Sequence, residues 1–154
     1  MSADLRRYFE TECRQINRLI DEYRPLLARI ASREPDVIER AALAAMLHSF
    51  YTGIENTLKR IAAAWDGGLP AGENWHHDLL ASMAQPSAHR PAALSQAARL
   101  ALRPYLGFRH VFRQGYGFDL QWEKMSRLVC KCEETWHLVQ KELAEFITAM
   151  DRED

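Results

Sequence analysis

Met125, Val129, Cys132, Trp136, Val139, Leu143, Phe146 and Met150 recur in alternating steps of four and three. That spacing keeps one apolar edge along a helix for more than three heptads. A helix with such an edge has two uses. It packs inside a helical bundle, or it forms part of an interface with a second copy. With 154 residues, 47% of them hydrophobic, the chain is large enough to bury a core and too apolar to read as disordered.

The rest of the chain follows the same period. Leu5, Phe9, Ile16, Leu19, Tyr23, Leu27 and Ile30 predict a first helix over about residues 3–32. Pro25 should kink it or loosen a turn, because proline cannot donate the interior hydrogen bond. A second helix is expected from Pro35, where a missing N–H costs nothing, to just before Gly67 and Gly68, which suit a C-terminal cap. It carries Leu43, Leu47, Phe50, Ile54, Leu58, Ile61 and Trp65 at helical spacing. After the loop GGLPAGEN comes a short helix containing HHDLLASMA, broken by QPSAHRP. A further long helix is expected from near Pro91, with Leu94, Ala98, Ala101, Leu102 and Tyr105. Pro104 and Gly107 predict a kink or a separate piece at FRHVFRQ, which Gly115 and Gly117 then close. The expected fold class is all-α: an antiparallel bundle of four long helices plus a short one, forming a single domain over residues 1–154.

No apolar run is long enough to span a membrane. The N-terminus is charged from its fourth residue and lacks the apolar centre of a signal peptide. Three cysteines, Cys13, Cys130 and Cys132, are an odd number and suggest reduced thiols in the cytoplasm.

The net charge of −1 argues, taken alone, against a nucleic-acid binder. Its distribution argues otherwise. Between Asp78 and Asp119 there is no acidic residue, and the interval holds Arg90, Arg99, Arg103, Arg109 and Arg113, with His89 and His110. Without these five arginines, the chain's 20 basic residues fall to fifteen against 21 acids. An arginine window on an otherwise acidic chain suggests a localised anion site, the alternative being that these arginines balance acids elsewhere in the fold.

Metal chemistry finds little support. Cys130 and Cys132, two apart on a helix, point about 200° from each other and cannot easily share an ion. Glu-x-x-His occurs as Glu73…His76 and Glu134…His137, but the first pair starts in a loop and Glu134 is opposite the apolar seam. No metal and no cofactor is expected. The His76-His77-Asp78 cluster could shuttle a proton. The favoured reading is a helix start with Trp75 in the core and both histidines wet.

The stretch LGFRHVFRQGYGFDL carries more chemistry. If residues 106–116 are helical, Arg109, Arg113 and Tyr116 fall at i, i+4 and i+7 on one face, with His110 and Gln114 on the adjoining one. Two guanidiniums can hold a phosphodiester and stabilise its transition-state charge. An imidazole can move a proton near neutral pH. These groups would suffice for attack by a 2′-hydroxyl on the adjacent phosphate, a reaction open to RNA and not to DNA.

FRHVFRQGYGFDLQW, in an all-helical chain of this length, resembles the HEPN superfamily. Within it the likeness is to the HepT-like ribonuclease toxins of prokaryotic toxin–antitoxin pairs. Their hallmark is an arginine, four to six residues, a histidine, and a tyrosine two positions later. Arg109 matches the arginine and Tyr116 the tyrosine, and His110 supplies the polar residue that typically follows the arginine. The likeness extends to WHHDLLASMA. Gln114 departs from it, standing where the histidine is expected and offering hydrogen bonds without titration. Arg103 and His110 meet the loosest spacing, but they place the tyrosine wrongly and straddle Pro104.

The resemblance implies a homodimer with two motifs across a cleft, a nucleotidyltransferase antitoxin as partner, and AMP transfer from that partner to Tyr116. In an endoribonuclease Arg109 would hold the scissile phosphate and His110 would transfer the proton. Arg113 and Gln114 would support the phosphate or orient the hydroxyl, and Arg99 and Arg103 would bind further phosphates. Two other readings stay open. One is a non-catalytic module that binds RNA, a nucleotide or the partner, with Gln114 marking lost catalysis. The other is a structural bundle with solvated arginines.

Overall fold

The computed structural model describes residues 2–116 and 119–153, without the side chains of Ser2 and Gln114. They form five helices: α1 (Ser2–Ile30), α2 (Val37–Trp65), α3 (Trp75–Met83), α4 (Gln96–Gln114) and α5 (Trp122–Glu153). No strand occurs among the described residues, where one isolated bridge joins Ser87 and Arg90. None of these helices is long and apolar enough to cross a membrane.

α2 is the central element and packs against all four other helices. Its sequence explains the position. Buried residues occur on every side of it, from Leu43 and Ala44 through Phe50, Tyr51 and Ile54 to Ile61 and Ala62. A helix that is apolar all round belongs in a core. The seam of α5 closes the core from one side: all eight of its predicted residues, Met125 to Met150, are buried. α1 contributes Leu5, Phe9, Cys13, Ile16, Ile20 and Leu26, while the predicted Leu19, Tyr23, Leu27 and Ile30 pack at its margin. Pro25 lies within an unbroken α1. Arg6 pairs with Asp151 and Arg24 with Glu133, so α1 and α5 run in opposite directions.

α2 begins later than Pro35. Asp36 is its N-cap, accepting from the Glu39 backbone N–H at 2.8 Å while the Glu39 side chain accepts from the Asp36 N–H at 3.1 Å. This reciprocal box satisfies two N–H groups that the first turn leaves unpaired, a stronger start signal than the proline before it. Arg33 pairs with Glu39 at 2.7 Å, and its guanidinium, first among the causes, holds the Glu39 carboxyl down at about 2. Asp36→Ala should lower stability by about 1 kcal/mol, seen as an earlier urea midpoint. The folded carboxyl of Glu39 titrates below its ordinary 4.5. Its contribution is therefore complete above that value and lost as pH falls toward 2. Glu39→Ala should cost stability at neutral pH and progressively less as pH falls through that window.

α4 also differs from expectation. It starts at Gln96, capped by Ser95, whose hydroxyl accepts from the Ala98 N–H at 3.1 Å. Glu142 of α5 holds this cap, accepting from the Ser95 N–H and hydroxyl at 2.5 and 2.9 Å. The helix then runs unbroken through Pro104 and Gly107 to Gln114. Proline removes the partner of the carbonyl four residues earlier. Here that residue is Leu100, 58% exposed, where water can reach the orphaned oxygen. Tyr105 next to it donates to the Leu128 carbonyl at 2.7 Å and meets Phe50 edge-on, fixing α4 to α5 and α2 just after the proline. Gly115 ends the helix in extended backbone. Gly117 lies outside the described residues.

Candidate functional site

Glu55 lies near the middle of α2 with its side chain 1% exposed. It is the one acid in the sequence between Glu39 and Asp66. A carboxylate so deep in a core needs partners, and it has two. Arg109 of α4 donates from Nη1 to Glu55 Oε1 at 2.9 Å. His76 of α3 has Nδ1 2.8 Å from Glu55 Oε2 and 3.2 Å from Arg109 Nη1. One carboxylate thus gathers side chains from three helices. Trp75 stacks on the His76 ring with centroids 3.6 Å apart, and Lys59 of α2 lies over the Trp75 ring.

Above this cluster opens a recess of about 500 Å³. The chain before α3 contributes Glu73 and Asn74, the start of α3 contributes His76 and His77, and α4 contributes Leu106, Arg109, His110 and Arg113. Arg109 is largely covered, while His110 and Arg113 are exposed. On the inner side, α2 turns His48, Tyr51 and Glu55 toward α4. His48 packs against Phe112, and burial, then the charges of Arg109 and Arg113, lower its pKa. Burial, then the charge of Glu55, raises that of Tyr51.

The arginine window divides in two. Arg90 serves the fold: its guanidinium is 1% exposed and paired with Asp66. Arg109 is paired inside with Glu55 but still contributes to the recess wall. Arg113 and His110 are at the recess, and Arg99 and Arg103 lie outside it. Arg103 is exposed, and Arg99 donates to Gln96 at 3.2 Å. Arg99, Arg103 and His110 recur after four and then seven residues, so they share a helix face that extends from the recess for about 16 Å. Tyr116 does not continue the Arg109–Arg113 face, because α4 stops at Gln114. It follows the helix at 72% exposure and is not among the recess-lining residues. The Gln114 side chain lies outside the described residues.

The model of the HepT-like protein family matches residues 42–150, from early α2 to the last turns of α5. The chain belongs to that family. A comparison with curated proteins matched none, and one with solved structures matched none. The match takes in every residue of the recess and the Glu55 cluster, whereas α1 of this HepT-like protein precedes it.

The expectation that both histidines of WHHDLL are wet is corrected for His76, which is one-quarter exposed and bound to Glu55. His77 is exposed, as expected, while Trp75 packs at the core margin and not within the core. Glu55 was missed altogether. Its signal in the sequence was its isolation, a single acid amid an otherwise core-forming helix, at the i+7 position from His48. Of the pairs set aside as metal ligands, Cys132 is buried and Cys130 exposed, Glu134 is exposed and pairs with Lys131, and Glu73 and His76 both line the recess.

Proposed function

We propose that this HepT-like protein is an endoribonuclease that cuts RNA by attack of a 2′-hydroxyl on the adjacent phosphodiester, without needing a metal. The observation that carries this reading is the convergence of Arg109, Arg113, His76, His77 and His110 on one recess of a chain with net charge −1. Arg113 and the open edge of Arg109 would bind the phosphate and its developing charge. A recess histidine would move the proton. Arg103 and Arg99, along the same helix, would hold neighbouring phosphates. Gln114, at the hallmark position, would hydrogen-bond the phosphate or the attacking hydroxyl.

The same reading includes an antiparallel bundle that pairs as a homodimer with two motifs facing one cleft. It also includes a nucleotidyltransferase antitoxin as partner. Tyr116, exposed beyond α4, would be the acceptor of AMP. The added phosphate and bulk, three residues after Arg113 in sequence, would compete with RNA.

The test is cleavage of small RNA by the purified protein in EDTA, after its intact mass shows that Tyr116 carries no AMP. Cuts should appear, should stop when the RNA is replaced by its 2′-deoxy counterpart, and should fall about 100-fold or more in Arg113→Ala. Cuts that persist in Arg113→Ala or on the 2′-deoxy strand would overturn the assignment. Gln114 favours one other reading, a non-catalytic binding module. It predicts retention of RNA that weakens steeply with salt, with no cleavage at enzyme excess.

A further inference from the structure

Gln114 leaves the motif without its titrating group, and His110 is exposed at the recess. His76 lies 38 residues before Gln114 in sequence, yet in the same recess as Arg109. We infer that His76 of α3, oriented by the buried carboxylate of Glu55, is the general base of this site. The inference rests on the ribonuclease reading above and supplies the proton acceptor that it leaves open.

Two contacts fix the imidazole, the Glu55 carboxylate and the Trp75 ring. An ionised carboxylate has only acceptors and a guanidinium only donors. The 2.8 Å contact to Glu55 Oε2 is therefore a hydrogen bond donated by His76 Nδ1–H, and the nearby Arg109 Nη1 is a second donor to the same carboxylate. Trp75, stacked at 3.6 Å, sets the ring plane. With the proton on Nδ1, the lone pair is on Nε2, at the far edge of a ring that is one-quarter exposed and lines the recess. A base held by a carboxylate at one nitrogen and open at the other needs no rearrangement before reaction. Arg109 ties this base to the phosphate site, since it donates to the same Glu55 carboxylate that holds His76.

In the step itself, Nε2 of His76 takes the proton of the 2′-hydroxyl while O2′ forms its bond to phosphorus. The P–O5′ bond breaks with its electron pair on O5′, which takes a proton from the imidazolium of His110 on the same recess. The products are a 2′,3′-cyclic phosphate and a 5′-hydroxyl end. One proton has moved from His110 to His76, and solvent exchange restores both. Glu55 is a positioning residue: it is 1% exposed and acts through His76 and Arg109.

The experiment follows single-turnover cleavage of a mixed-sequence RNA oligonucleotide by excess protein unmodified at Tyr116. His76→Gln and His76→Gly should each fall by about 10²–10⁴-fold. Added imidazole should restore at least tenfold to His76→Gly and nothing to His76→Gln, whose side chain fills the space. Glu55→Gln should lower the maximal single-turnover rate by a larger factor than it weakens RNA binding. Nitrogen-15 NMR of the wild-type protein should find neutral His76 protonated at Nδ1, a readout independent of activity and of whether any variant folds. Wild-type rates in a folded His76→Gln protein, or a proton on Nε2 in the wild type, would overturn the role of His76 and leave the ribonuclease reading standing. A wild-type protein that cuts no RNA would overturn both.

Discussion

Arg109→Ala should cost about 3–5 kcal/mol of stability, well beyond what an exposed arginine is worth. The guanidinium is 14% exposed and its partner Glu55 is 1% exposed. Removing it leaves a core carboxylate with His76 as its remaining partner. For a chain of this size the loss corresponds to a fall in melting temperature of roughly 6–20 °C. Urea unfolding measures it directly. The double variant Arg109→Ala, Glu55→Ala should recover part of the loss, because the stranded charge goes with its partner. A single-variant loss under about 1 kcal/mol would mean that water reaches Glu55. The expected size bears on function as well. Silence in Arg109→Ala would not separate lost chemistry from lost fold, which is why Arg113, exposed and on the same recess, is the better first substitution. Arg109→Lys keeps a charge but not the fork that, in the proposed reaction, would span carboxylate and phosphate together. It should retain more stability than activity.

Arg90→Ala should be comparably severe, about 3–5 kcal/mol, with no direct bearing on RNA. Its guanidinium makes two bonds to Asp66, at 2.9 and 2.7 Å, and three to the carbonyls of Ser82, Gln85 and Pro91, at 3.1–3.2 Å. Alanine would strand a largely buried carboxylate and three carbonyls at once. Lysine, a point charge without the planar fork, should restore only part. Hydrogen exchange should locate the damage: amides of residues 84–94, which join α3 to α4, should lose protection first. Ala93 and Leu94 are the sharpest probes, since both donate to the Met83 carbonyl, at 2.9 and 3.0 Å. An Arg90→Ala protein that melts within a degree or two of wild type would refute this account.

These two arginines mark the limit of what could be read from the chain. Arg90, Arg109 and Arg113 fall in one acid-free window and look alike in sequence. Their partners are 24 and 54 residues away for the first two. Local spacing carries no information about such pairings. The α5 seam was legible because its period is local and uninterrupted. At Pro104 the expected separate piece does not form: Tyr105 pins the next turn and Leu100 is exposed to water, and both depend on packing that local spacing does not carry. The α4 motif was legible as a basic, polar face. Its deeper half was not, because His76 sits on a different helix and Glu55 reads as a lone charge until the packing of α2 is known. Tyr116 was placed on the helix by counting, and Gly115 in extended backbone ends that count one residue before it.

The difference in cover across the recess has an evolutionary consequence. A substitution at Arg109 or Glu55 removes stability along with any activity, and a loss of a few kcal/mol lowers the amount of folded protein a cell keeps. Such alleles disappear as protein. Arg113, His110 and Tyr116 are at the surface, where replacement costs the fold little. Silent but abundant copies of this protein would therefore arise at those three exposed positions, with the buried Arg109–Glu55 pair kept intact beneath a site that no longer works.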